Sequence, residues 1–290
     1  MATLLLFFDG IGVGRDDTSV NPFAAARARR LAPLWGGELD PGASFRPLDA
    51  TLGVDGLPQS ATGQTTLLTG INAAQLMGRH VQGIPGPTLV EAIDRESLFL
   101  KLVRAGRRPT FANAFTSAHL EARRPRWSAT TRTVMAAGVP FRMLEHDERR
   151  DAALPHDYTG AWWLERGMEV KRRTAEEAAR VLAGLGDTHD LVLYEYFLTD
   201  LVAHRGNADQ KLLQARRVEA LVDAVVTAVD LDRHRVVVIS DHGNLEESDH
   251  KRHTRNPVPL LAWGVGADDL VRDVSGLEAL TPALSDGSTT

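Results

Sequence analysis

The chain has 290 residues, with 33 Lys plus Arg against 38 Asp plus Glu and a formal net charge of -5 at pH 7. Hydrophobic residues at 43% and charged residues at 24% are ordinary globular values, which excludes disordered and fibrous classes. Cysteine is absent, which excludes disulfides, thiolate zinc sites, iron–sulfur ligation and a cysteine nucleophile; the mild acidity argues against a nucleic-acid partner.

Thr3 to Phe8 is a continuous apolar run before Asp9-Gly10, as in a buried parallel strand, and it is too short to span a bilayer. With no other stretch of membrane length, the expectation is a soluble, cytoplasmic protein with no membrane partner. Asn21 to Leu34 reads as one helix, with Asn21 as cap and Pro22 at its first position. Gly36 to Gly56 reads as loop with a short strand, Thr62 to Thr69 as a helix opening after a polar turn, and Ser97 to Ala105 as a helix closed by Gly106. Thr110 to Phe115 reads as a strand. Thr174 with Glu177 three residues on is a capping box for a helix to Leu185. Strands are expected over Leu191–Phe197, Arg235–Ser240 and Val258–Val265, with a long helix over Asp209–Val229 and a polar tail from Leu284.

This alternation predicts an α/β protein, a three-layer α/β/α core around a mostly parallel sheet. Residues 119–167 break the pattern. They are Arg-rich and weakly periodic, and are expected to form a small cap inserted between core segments 1–118 and 168–290.

Four segments put Asp, His or Ser directly after an apolar run: Asp9-Gly10, Ser60-Ala61-Thr62-Gly63, Asp200 to His204, and Asp241-His242-Gly243-Asn244. In an open parallel sheet, ligands bind beyond the carboxyl ends of strands, so such side chains converge. Gly10, Gly12 and Gly14 do not make a dinucleotide fingerprint, because Arg15 stands where the third glycine belongs. Asp9 therefore reads either as part of a plain turn or as a strand-end metal carboxylate. Asp200 and His204 share one face if their turn is helical. Asp241 with His242 suits Mn²⁺ or Zn²⁺ better than Ca²⁺. His253 precedes the last strand. Together these residues suffice for two divalent metals, with Ser60, or Thr62 in reserve, as the nucleophile.

Asp9-Gly10-Ile11-Gly12, Ser60-Ala61-Thr62-Gly63-Gln64, Asp200-x-x-x-His204, Asp241-His242-Gly243-Asn244 and His253-Thr254-Arg255-Asn256-Pro257-Val258-Pro259 occur in an order that resembles the alkaline phosphatase superfamily. The branch of cofactor-independent phosphoglycerate mutase and phosphopentomutase is the most similar. The resemblance implies two metals, one held by Asp9, Ser60, Asp241 and His242, the other by Asp200, His204 and His253. It implies Ser60 as the phosphorylated nucleophile, while Gln64 departs from the histidine of some relatives.

The implied reaction is in-line attack by the Ser60 oxygen on a small phosphorylated metabolite, then transfer from phosphoserine to water or to another substrate hydroxyl. The reduced cap and the missing phosphoglycerate mutase arginine cluster argue against true phosphoglycerate mutase activity. The sulfatase motif is absent. Asn244 is a candidate substrate contact. Arg123, Arg124 and Arg126 read either as grips on phosphate or carboxylate or as a solvated face. The alternatives are phosphodiester or phosphonate hydrolysis on the same metals, or a non-catalytic metal-binding member.

Overall fold

In the computed structural model, which describes residues 1–122 and 126–286, the first strand β1 (Thr3–Phe8) is buried along its whole length. Its side chains divide between two cores: Leu4, Leu6 and Phe8 on one face of the sheet, Leu5 and Phe7 on the other. Because both faces are covered, the strand reads as a continuous apolar run.

The remaining strands are β2 (Ala43–Leu48), β3 (Pro109–Phe111), β4 (Ala114–Phe115), β5 (Arg142–Met143), β6 (Leu191–Tyr196), β7 (Arg235–Ile239) and β8 (Val258–Gly264). Six of them form the main sheet in the order β2-β8-β7-β1-β6-β3. The run β7-β1-β6-β3 is parallel, while β8 is antiparallel to β7 and to β2. β4 and β5 form a separate two-stranded parallel ladder. The sheet is mostly parallel within a mixed α/β fold, as its sequence pattern predicts. No helix among the described residues is long and apolar enough to cross a membrane.

Helices Ala175–Gly186 and Ala208–Ala228 cover the face bearing Leu4 and Leu6. Helices Ser60–Thr69, Leu98–Arg104, Ala267–Asp273 and Leu280–Ser285 cover the other. The capping box forms as expected: Glu177 N–H donates to Thr174 Oγ1 at 3.3 Å, and Thr174 N–H donates to Glu177 Oε2 at 2.8 Å.

Three local expectations are corrected. The single helix over Asn21–Leu34 is broken into helix Pro22–Ala26 and a 3-10 turn Ala32–Trp35. Arg27 turns the chain with φ 50°, Asn21 Nδ2 ties it back to the carbonyl of Leu34 at 2.9 Å, and Pro33 cannot serve a helix interior. The strand over Thr110–Phe115 divides at Asn113, whose side chain donates to Glu195 O and accepts from Glu195 N. Leu284 is buried at the end of a helix, not part of a polar tail.

Within residues 119–167, helix Ala129–Ala136 starts at a Ser128 cap and buries Ala129 and Val134 against the same core as Leu193. The rest of the segment holds β5, a π-helical turn Leu144–Glu148 and the short helix Ala161–Leu164.

Candidate metal centre

The strand order decides what meets. β1 lies between β6 and β7, so Asp9 at its carboxyl end stands between the residues that follow those two strands. Gly10 turns the chain there with φ 71°, and a Cβ at that position would come within 2.8 Å of Asp200 Oδ1. A side chain at position 10 would therefore push the two carboxylate-bearing loops apart.

Ser60 opens the helix Ser60–Thr69, and its Oγ lies 3.0 Å from His242 Nε2. The helix approaches the β7 loop closely because residue 63 lacks a side chain; a Cβ on Gly63 would stand 2.7 Å from the Asp241 carbonyl oxygen. His242 Nε2 is also 3.2 Å from Asp9 Oδ1 and 3.6 Å from Asp241 Oδ2. One imidazole nitrogen thus faces the serine and both carboxylates.

The second group gathers beside it. Asp200 and His204 sit one turn apart on helix Leu198–Arg205, with His204 Nε2 3.3 Å from Asp200 Oδ1. His253 Nε2 is 3.5 Å from the same oxygen, and the His253 ring stacks on His242 with centroids 3.7 Å apart. Asn244 Nδ2 donates to Asp200 Oδ1 at 2.7 Å. Within this cluster, two sets of residues can offer converging ligand atoms: Asp200, His204 and His253, and Asp9, Asp200 and His242. Asp200 belongs to both, so it stands where the two sets meet.

The donor chemistry fits divalent cations. His204 Nδ1 donates to the Lys251 carbonyl at 2.7 Å, and His253 Nδ1 donates to the Pro58 carbonyl at 2.7 Å. A carbonyl only accepts, so both Nδ1 atoms carry protons and both Nε2 atoms turn inward. Those two nitrogens face each other at 3.0 Å, as ligand atoms converging on one cation would. Asp9 Oδ1 and Asp241 Oδ2 are buried and accept no hydrogen bond. Buried acceptors left this way are costly unless an ion completes them.

The electrostatics agree. Burial and the Asp200 charge raise the Asp9 carboxyl above its ordinary range, against the pull of the neighbouring His242. Burial and the neighbouring Asp9 charge hold Asp241 well above it. His242 is lowered by burial, but Asp241 and Asp9 outweigh this and push it up to about 10. Burial raises Asp200, yet the neighbouring His204 and His253 take it far below the usual carboxylate range. Crowded acids and imidazoles compensate one another here in the absence of a stronger positive charge.

Of the other residues singled out in the sequence, Thr62 is fully buried; its hydroxyl donates to the Gln59 carbonyl and accepts from Val81 N–H. Gln64 Nε2 donates to Asp9 Oδ2 at 3.1 Å and so orients that carboxylate. Arg126 is exposed and makes no hydrogen bond or ion pair with the cluster among the described residues. Arg123 and Arg124 lie outside the described residues.

Two buried acids escaped the sequence reading. Glu246 accepts from Gly12 N–H and Asn244 N–H at 2.8 Å each, from Thr254 Oγ1 at 2.5 Å and from Asn256 Nδ2 at 3.1 Å. It stitches together the loops that carry Asp9, His242 and His253, but its position in an ordinary polar stretch gives no signal. Glu195 offers one, as a lone acid in the apolar run Leu191–Tyr196. Burial pushes it up to about 8, while the Thr130 hydroxyl donates to it at 2.8 Å.

Known proteins are similar to this chain in sequence and in fold. The 2,3-bisphosphoglycerate-independent phosphoglycerate mutase of Paracoccus denitrificans is 24% identical over 241 residues, 61% of this chain and 46% of that enzyme. The enzyme of the same name from Agrobacterium fabrum is 29% identical over 104 residues, 33% of this chain and 21% of that enzyme. The chain thus spans less than half the length of these relatives. The PH0037 protein from Pyrococcus horikoshii shares the fold with a TM-score of 0.56 at 12% identity, covering 98% of this chain and 96% of that one. A variant of the TAB5 alkaline phosphatase does so with a TM-score of 0.52 at 11% identity, covering the same shares. The Metalloenzyme superfamily profile matches residues 1–281, and the chain belongs to that superfamily.

Proposed function

We propose that the chain is a metal-dependent phosphoryl-transfer enzyme acting on a small phosphorylated metabolite, with Ser60 as nucleophile and a phosphoserine intermediate. The observation that carries this reading is Ser60 Oγ at 3.0 Å from His242 Nε2, within a cluster whose buried carboxylate oxygens lack partners. Asp9, Ser60, Asp241 and His242 would hold one divalent ion, Mn²⁺ or Zn²⁺; Asp200, His204 and His253 would hold the other. Bound there, the ions supply charge stabilisation to the phosphoryl oxygens and lower the proton affinity of the serine hydroxyl.

The chain's own residues do the rest. Ser60 sits at a helix N-terminus, whose unpaired amides suit a phosphoryl oxygen. Gln64 holds Asp9, and Asn244 holds Asp200 while keeping its own Oδ1 without a partner. Asn244 Oδ1 is then available to a substrate hydroxyl. Thr62 is the reserve nucleophile, but its hydroxyl is committed to backbone partners, which favours Ser60. Residues 119–167 act as the cap. Because helix Ala129–Ala136 is spent on the core, little of that segment remains to exclude water. Transfer to water, a phosphomonoesterase outcome, is therefore favoured over transfer within a mutase cycle.

The test is a panel of phosphomonoesters, phosphodiesters and phosphonates, assayed before and after chelation and after return of Mn²⁺ or Zn²⁺. Monoester turnover that chelation abolishes and metal restores supports the reading. Turnover of diesters alone would replace it with phosphodiester hydrolysis, and full activity in metal-free protein would overturn it.

A further inference from the structure

At the other end of the sheet, β7 begins with Arg235, which is only 8% exposed. Its Nε donates to Thr3 Oγ1 at 2.8 Å. Among the described residues, its two terminal nitrogens make no hydrogen bond and no carboxylate lies within ion-pair distance. Arg235 lines a partly open cavity of about 600 Å³, together with Gly266, Leu270, Pro282 and Ala283. The acids around the mouth are engaged elsewhere: Asp269 and Asp273 pair with Arg272 at 2.7 and 3.2 Å, and Asp286 accepts from Ser285 Oγ at 2.9 Å.

Arg107 adds a second positive charge nearby while donating to the Leu284 carbonyl at 2.9 Å. Burial and that neighbouring charge push the Arg235 guanidinium down to about 10. A buried guanidinium is ordinarily paired, because the uncompensated charge is costly. Nothing in the sheet demands it, since position 235 serves the ladder through backbone groups opposite Thr3 and Gly264. Val236 to Ile239 show that the strand accommodates apolar side chains throughout.

We propose that this cavity is a second ligand site, remote from the candidate metal centre, which binds a small multivalent anion bearing phosphate or carboxylate through the free fork of Arg235. A guanidinium presents two parallel N–H donors matched to two oxygens of such a group. The cavity has room for a small metabolite around it. The site lies at the amino ends of β1 and β7, whose carboxyl ends carry Asp9 and Asp241, so an occupant would not compete with substrate. This proposal does not depend on the phosphoryl-transfer reading.

The experiment titrates inorganic phosphate into the metal-loaded full chain by calorimetry, comparing wild type with Arg235→Gln, Arg235→Lys and Asp241→Asn. Two classes of binding are expected in wild type. Arg235→Gln should weaken one class by about tenfold or more while leaving the other, and monoester turnover, unchanged. The retained class shows that this variant is folded. Arg235→Lys should recover part of the lost affinity, and Asp241→Asn should remove only the class that Arg235→Gln spares. A single class in wild type, abolished by Asp241→Asn, would overturn the proposal. So would two classes that are the same in Arg235→Gln as in wild type.

Discussion

The cluster at the ends of β1, β6 and β7 hangs from parallel ladders of six and five residue pairs, whereas β4 and β5 pair over only two. The segment between β4 and Thr174 is held by helix Ala129–Ala136, by a small apolar cluster of Ala114, Leu144 and Ala153, and by a few polar contacts. Arg173, itself buried, pairs with the fully buried Glu148 and donates to its carbonyl at 2.8 Å. Arg142 donates to Thr110 Oγ1 at 3.0 Å and to the Ala152 carbonyl at 2.8 Å. Asn113 Nδ2 donates to His156 Nδ1 at 2.9 Å. One region takes its geometry from long ladders, the other from one short helix, a small apolar cluster and individual polar contacts. Changes in the second should therefore loosen the cover while leaving the chemistry beneath it.

The largest effect is expected at the sheet end. Ser60→Ala should lower monoester turnover by about 10³-fold or more without shifting the unfolding midpoint, because the side chain contributes to the reaction rather than to packing. Metal content, measured by elemental analysis, should largely survive. Undiminished turnover would remove Ser60 as nucleophile and return Thr62 to consideration.

Glu148→Gln probes the other region. This change leaves Arg173 only the more exposed Asp151, at 2.8 Å, as counter-charge and should cost about 1–3 kcal/mol of local stability. Limited proteolysis should register this as faster cleavage within residues 126–170, while turnover of a small aryl phosphate stays within about threefold of wild type. A loss of turnover as large as that of Ser60→Ala would break the comparison, since it would show that the chemistry depends on the cover.

The same contrast separates what is readable in the sequence from what is not. β1, β6, β7 and β8 announce themselves as apolar runs, with Glu195 the one acid in β6 and Arg235 opening β7, because both faces of each are buried. Asp200 and His204 announce their shared face by spacing. The adjacency of β6, β1 and β7 is not written in any one segment, yet it alone puts Asp9 between the two halves of the site. Helix Ala129–Ala136 was masked for a different reason. Its buried face includes Thr130, Thr131 and Thr133, so hydrophobic periodicity is faint even though the helix is anchored in the core. Glu246 is harder still, since four donors from two loops satisfy it only once the chain has folded.

The smallest effect expected concerns pH. His156 contacts Asn113 and lies between Phe115 and Phe197, with ring centroids 5.9 and 4.8 Å away. Burial, reinforced by the nearby His119, lowers it from 6.5 to about 4. The folded segment thus keeps this imidazole neutral, whereas the unfolded chain takes up a proton below about pH 6.5. Its contribution is fully present above pH 6.5 and is lost as pH falls toward 4, to a limit of about 3 kcal/mol. Amide hydrogen exchange over residues 144–164 isolates the local term. Exchange there should accelerate between pH 7 and pH 5 beyond the intrinsic pH dependence, and His156→Phe should remove the excess. If the excess persists in that variant, His156 is not the source of the cover's acid sensitivity.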